Sequence, residues 1–201
     1  MPQPLVLVTG FGPFRDVARN PSGELAEALA LDPPAGVEVV GRVLPVSFAA
    51  APPALEAAIE RLAPRVPDAI LGLGVQRGAW FRLERRARAV LDSEKPDLDG
   101  RFARELEPLG ARDLECALDL ERLCAAMRAA GAGEARASDQ AGGYVCERVF
   151  RAALEAGARL GLPGLFLHLP PADLVSVDDQ LPVLRGLLVE LAAMVRAPDP
   201  L

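Results

Sequence analysis

The sequence contains one histidine (His168), one tyrosine (Tyr144), one tryptophan (Trp80) and one lysine (Lys95). Any chemistry that needs an imidazole therefore has a single residue to draw on. Cysteine is also scarce. Cys116, Cys124 and Cys146 are an odd number with no closely spaced pair. A disulfide framework does not fit them, and neither does a structural zinc site, which uses paired cysteine or histidine spacings. No apolar run is long enough to span a bilayer. The N-terminal stretch Leu5–Val8 follows no charged segment and is too short for a secretory signal. Positive charge is in deficit, with a formal net charge of −6 over 201 residues, and no basic cluster stands ready to grip nucleic acid or an anionic membrane. These absences lead us to expect a cytoplasmic protein with no nucleic-acid or membrane partner, no metal and no organic cofactor.

The rest of the composition is that of a globular chain. Apolar residues make up 51% and charged residues 25%, too apolar for disorder and sufficient for a core. The length suits a single domain, expected over residues 1–201, and no repeat, low-complexity tract or linker interrupts it.

Short apolar runs alternate with helical patterns. Leu5–Thr9, Val37–Val46, Asp68–Gly74 and Leu165–Leu169 read as strands. Helices are expected from Asn20-Pro21-Ser22 through Leu31, over Ala50–Leu62, Asp119–Ala130 and Tyr144–Ala158, and after the capping pair Ser176 and Asp179. Glu134–Ser138 reads as a short strand and Asp92–Glu107 as a long loop, with Asp97-Leu98-Asp99-Gly100 as a turn too short for a calcium loop. Continuously apolar strands separated by helices indicate an α/β sheet covered on both faces. Trp80–Leu91 is ambiguous. As a strand it places Phe81 and Leu83 on one face and Arg82, Glu84, Arg86 and Arg88 on the other.

Cys146 follows Gly142-Gly143 in the first turn of an expected helix. Exposed N–H groups and the helix dipole favour a thiolate there, and the same amides suit an oxyanion. The competing reading is a small buried apolar residue, which also accounts for Cys116 and Cys124. A thiol nucleophile needs a base, and only His168 is available. It ends an apolar strand before Pro170-Pro171, where a satisfied core histidine is the alternative. An acid should orient the imidazole. Glu84 is one candidate, although its flanking arginines fit a solvated ion-pair face equally well. The loop Gly10-Phe11-Gly12-Pro13-Phe14 carries two of the seven phenylalanines, suited to an apolar ligand pocket or to the core. A dinucleotide-binding loop is excluded, because Arg15 stands where the third glycine would be.

These blocks resemble the pyroglutamyl peptidase I (pyrrolidone-carboxylate peptidase) family. The similarity runs through Val6-Leu7-Val8-Thr9-Gly10-Phe11-Gly12-Pro13-Phe14, Asn20-Pro21-Ser22, Leu44-Pro45-Val46, Leu83-Glu84-Arg85, Ala141-Gly142-Gly143-Tyr144-Val145-Cys146 and Phe166-Leu167-His168-Leu169-Pro170, in family order. The resemblance implies a three-layer αβα sandwich around a mixed, mostly parallel sheet, assembled as a homo-oligomer, a homotetramer or a dimer. It implies a cysteine peptidase that removes N-terminal 5-oxoproline from peptides, with a triad of Cys146, His168 and Glu84. Phe11 and Phe14 would sandwich the pyrrolidone ring, with Tyr144 and Val145 completing the pocket. The lactam would meet backbone groups at Val75 when counted from Pro67-Asp68, or at Leu73 when counted from the Gly-Leu pair. The sequence departs from the family at Glu94-Lys95-Pro96-Asp97-Leu98, where an arginine and an apolar residue usually precede a Pro-Asp-Asn turn. It departs again near Ala89, where the family has asparagine, and in a short loop after Gly100. These positions bear on specificity more than on the nucleophile. A binding protein without turnover and an amidase of other specificity are the alternatives.

Overall fold

The structure is a computed structural model that describes residues 2–14 and 19–196. Arg15 and the rest of 15–18, within the Gly10–Arg19 loop, lie outside the described residues. Strands β1 (Leu5–Phe11), β2 (Glu38–Leu44), β3 (Ala69–Val75), β4 (Phe81–Glu84), β7 (Ala135–Ser138) and β8 (Gly164–Leu169) form one sheet in the order β2-β1-β3-β8-β4-β7. Two further short strands, β5 (Arg86–Ala87) and β6 (Leu114–Glu115), pair antiparallel in a separate ladder. In the main sheet β4 runs antiparallel to β8, while the other pairings are parallel. The sheet is thus mixed and mostly parallel, as expected.

Helices α1 (Pro21–Leu31), α3 (Leu120–Ala129) and α5 (Val177–Arg196) pack in one layer, with α5 against both α1 and α3. Helices α2 (Ala51–Glu60) and α4 (Val145–Leu160) pack against each other, and α4 lies on β3 and β8. Helices on two faces explain why every residue of β1 and β8 is buried. The local signals hold. Asn20 caps α1 by accepting from the Ser22 N–H, Asp119 caps α3, and the Ser176 hydroxyl accepts from the Asp179 N–H. The Asn20 amide also donates to the Gly12 carbonyl at 2.9 Å, and the Ser22 hydroxyl accepts from the Phe11 N–H at 3.0 Å. The start of α1 therefore fixes the end of β1 and the aromatic loop beyond it. Among the described residues no helix is long and apolar enough to cross a membrane.

Candidate active site

Cys146 sits in the first turn of α4. The chain enters that turn through Gly142 (φ 95°) and Gly143 (φ 64°), conformations that side chains other than glycine's strain to adopt. A Cβ at Gly143 would also overlap the Asp92 carboxylate. The turn is locked from below by Glu147, which is fully buried. Its carboxylate accepts from the Gly143 N–H at 2.7 Å, from the Arg88 N–H at 2.8 Å and from the Arg88 guanidinium at 3.0 and 3.1 Å. Arg88 in turn clasps Asp92 with two hydrogen bonds of 2.7 and 2.8 Å. The nucleophile's loop and the 88–92 segment are thereby one unit.

The sheet supplies the other groups in a single row. His168 on β8 is paired with Gly74 on β3 and with Arg82 on β4. Gly74 lets the start of α4 come close, because an added Cβ would lie 2.9 Å from Cys146 Sγ and 3.0 Å from the Phe166 ring. On the other side, Glu84 is two residues from Arg82 and shares its face. Glu84 Oε1 stands 2.6 Å from His168 Nδ1. Both groups are buried, Glu84 completely and His168 to within 4%. The solvated ion-pair reading of Glu84 is thus overturned. Its partner comes from a strand distant in sequence, and the alternation that seemed to face water faces the start of α4. Arg82 Nε donates to the same Glu84 oxygen at 2.7 Å. A carboxylate oxygen that accepts from Arg82 is an acceptor toward His168 Nδ1 as well, so the neutral imidazole has its lone pair at Nε2.

The sulfur's ionisation differs from the helix-dipole expectation. Burial pushes the Cys146 thiol up to about 12, and the Glu84 and Glu147 charges add to that. Its own backbone N–H and Arg82 pull the other way and are outweighed. The resting sulfur at neutral pH is a thiol. Desolvation wins over the helix terminus because the sulfur is packed against Gly74 beside two buried carboxylates. Cys116 and Cys124 are buried with their thiols also raised, foremost by desolvation, as their structural reading requires.

In front of the sulfur lies a cavity of about 860 Å³. Phe11, Phe14, Val75, Tyr144, Val145 and Cys146 all line it. Val75 is at its wall, whereas Leu73 is fully buried in the sheet, which places the β3 contribution at the strand's end. Tyr144 meets Phe14 at 5.7 Å and the edge of Phe48 at 5.3 Å, and its hydroxyl donates to the Pro96 carbonyl at 3.0 Å. Pro96 is followed by the expected turn, where the buried Asp97 side chain accepts from the Phe48, Asp99 and Arg101 N–H groups. Among the described residues, Arg19, Arg77 and Lys95 stand at the cavity with a single carboxylate, Asp173. Sequence reasoning missed Arg82 and the Glu147–Arg88 pair. A same-face Arg–Glu pair on a short strand, and an acid one residue after a candidate nucleophile, were the available signals.

Fold and site together define an α/β protein with a cysteine at the wall of an aromatic cavity and a buried histidine–carboxylate pair on the neighbouring strands of the sheet. The family model for pyroglutamyl peptidase matches residues 5–194, and the chain belongs to that family of peptidases. A pyrrolidone-carboxylate peptidase of Streptomyces coelicolor is 35% identical, over 96% of this chain and 93% of that one. One of Clavibacter michiganensis is 34% identical, over 96% and 92%. Among solved structures, pyroglutamyl peptidase I of Bacillus amyloliquefaciens matches with a TM-score of 0.83 and 25% identity, over 95% of this chain and 98% of that one. Pyrrolidone carboxyl peptidase of Pyrococcus furiosus matches with a TM-score of 0.85 and 25% identity, over 95% and 99%.

Proposed function

We propose that this chain is a cysteine peptidase that removes N-terminal 5-oxoproline from peptides through Cys146, His168 and Glu84. The observation that carries the reading is a cavity-lining thiol packed on Gly74, the residue paired with His168, whose imidazole meets the buried Glu84 carboxylate. A lactam ring between Phe11 and Phe14 would be held by aromatic faces, and backbone groups near Val75 would meet its polar edge.

In this reading the scissile carbonyl is attacked by Cys146 Sγ as its proton passes to His168 Nε2. A raised thiol makes that transfer part of the attack rather than a step before it. The C–S bond forms and the carbonyl electron pair moves to oxygen. The Val145 and Cys146 N–H groups, which precede the first intrahelical donor Glu147, stabilise that oxyanion by about 3 kcal/mol. The C–N bond then breaks and His168 gives its proton to the leaving amine. Water attacks the acyl-enzyme, again losing a proton to His168. The C–S bond breaks, 5-oxoproline leaves and the thiol regains its proton. Glu84 keeps Nδ1 protonated and balances the transient imidazolium. Action in the cytoplasm as a single α/β domain, and assembly as a homo-oligomer of the kind the family resemblance implies, belong to the same reading.

The test is a peptide with N-terminal 5-oxoproline beside the same peptide beginning with glutamine or proline. Mass analysis should find free 5-oxoproline and a peptide shorter by one residue from the first alone. Binding without cleavage would instead identify a non-catalytic binding protein, and cleavage of a different blocked terminus an amidase.

A further inference from the structure

The triad accounts for Glu84 and His168 but leaves Arg82 without a role. Arg82 is directly opposite His168 in the antiparallel register and its side chain is only 23% exposed. Its three polar contacts go to three parts of the site. Nε donates to Glu84 Oε1 at 2.7 Å. One terminal nitrogen donates to the Gln140 carbonyl at 3.0 Å, in the loop that leads into Gly142-Gly143 and the nucleophile's helix. The same nitrogen lies 3.5 Å from His168 Nδ1. Glu84 Oε2 is buried without a hydrogen-bond partner, so the carboxylate is held through Oε1, by Arg82 and His168 together. Arg82 does not line the cavity.

We propose that Arg82 is a positioning residue that balances the charge of the buried Glu84–His168 pair and ties that pair to the nucleophile's loop through Gln140. It rests on the proposed peptidase reading for its effect on rate, but not for its effect on the imidazole. The Coulomb argument is direct. A buried carboxylate with no cation beside it recruits a proton, and the nearest base able to take one is His168. An imidazole protonated at rest cannot accept the thiol proton. The guanidinium satisfies the carboxylate's charge and opposes a second positive charge on the ring beside it. From α4, Cys146 and Glu147 face the same site, and Glu147 is already paired with Arg88. Arg82 is the cation in direct contact with the Glu84 carboxylate.

The single histidine makes the test unambiguous, because His168 supplies the only imidazole signals in the NMR spectrum. Wild type, Arg82→Met and Arg82→Lys are titrated by imidazole NMR, with the fold of each checked by circular dichroism. The midpoint should rise by about one pH unit or more in Arg82→Met and return most of the way in Arg82→Lys, which restores the charge. On a 5-oxoprolyl-amide reporter, the acidic limb of kcat/KM should move up by the same interval. Near neutral pH kcat should fall with KM unchanged, since Arg82 stays clear of the cavity. A folded Arg82→Met protein whose imidazole midpoint equals that of wild type overturns the proposal. If wild type does not hydrolyse the reporter, the peptidase reading fails, and the imidazole titration still decides the role of Arg82.

Discussion

Glu84 and His168 are 84 positions apart in sequence, yet their side chains meet at 2.6 Å across the antiparallel β4–β8 pairing. The pairing sets Arg82 opposite His168, so Glu84 reaches the imidazole diagonally on the same face. The buried acid–imidazole pair thus sits on the one antiparallel pairing of an otherwise parallel sheet.

Glu84→Gln keeps the shape of the side chain and removes its charge. Arg82 then loses its counter-ion and the imidazolium its stabiliser. Reporter kcat should fall about 10²–10⁴-fold, and stability by about 1–3 kcal/mol, a range reduced because Arg82 is partly in water. Steady-state kinetics and urea denaturation read the two effects. A variant as fast as wild type contradicts the role given to Glu84.

Glu147 tests the support of the nucleophile's turn. It is fully buried and holds both the Gly143 N–H and Arg88. Glu147→Gln should destabilise the fold by about 2–4 kcal/mol, because a neutral amide leaves Arg88 short of charge and the Gly143 turn short of its acceptor. Arg88→Met should cost a similar amount, and the double variant less than the sum, measured as a double-mutant cycle in urea. Full additivity would show that the two residues act apart.

The raised Cys146 thiol has a consequence for stability at alkaline pH. Its folded value of about 12 exceeds the ordinary 9.0, so the folded state holds a proton that the unfolded chain releases first. The stabilisation is complete below about pH 9 and is lost as pH rises toward 12. Between pH 7.5 and pH 10.5, wild type should lose about 1–2 kcal/mol more than Cys146→Ser, which has no thiol to ionise. Urea denaturation at the two pH values checks this, and equal losses would contradict it.

Phe14 packs on Tyr144 at the cavity wall. Phe14→Ala should raise KM for the 5-oxoprolyl reporter about tenfold, the size of one lost aromatic contact, with a smaller change in kcat. Tyr144→Phe removes the hydroxyl bond to the Pro96 carbonyl and should cost about 0.5–1.5 kcal/mol of stability. A Phe14→Ala enzyme with unchanged KM would remove the ring-binding role.

Strands buried on both faces were plain in the sequence, since Leu5–Val8 and Leu165–Leu167 are apolar without alternation. Helix starts were equally plain, because Asn20, Asp119 and Ser176 act on residues two or three positions away. Phe81–Glu84 was not plain. Its alternation is that of a half-solvated strand, and only the distant β8 turns the polar face inward. The β5–β6 ladder, two residues per strand, is too short to leave a period. For the site, Cys146 and His168 were legible from scarcity and from their places at a helix start and a strand end. Glu84 required the family resemblance. The ionisation of Cys146 was misjudged because a helix dipole is a local feature of the sequence, whereas the sulfur's burial beside Glu84 and Glu147 is set by the tertiary fold.

The central claim is that Cys146 carries out the hydrolysis of a 5-oxoprolyl amide. The direct measurement follows fluorophore release from a 5-oxoprolyl-aminocoumarin by wild type and Cys146→Ser under identical conditions. Wild type should turn over steadily, and the serine variant should be slower by about 10³-fold or more while folding and binding the 5-oxoprolyl group as before. Equal rates in the two proteins, or no release by wild type, would contradict the account.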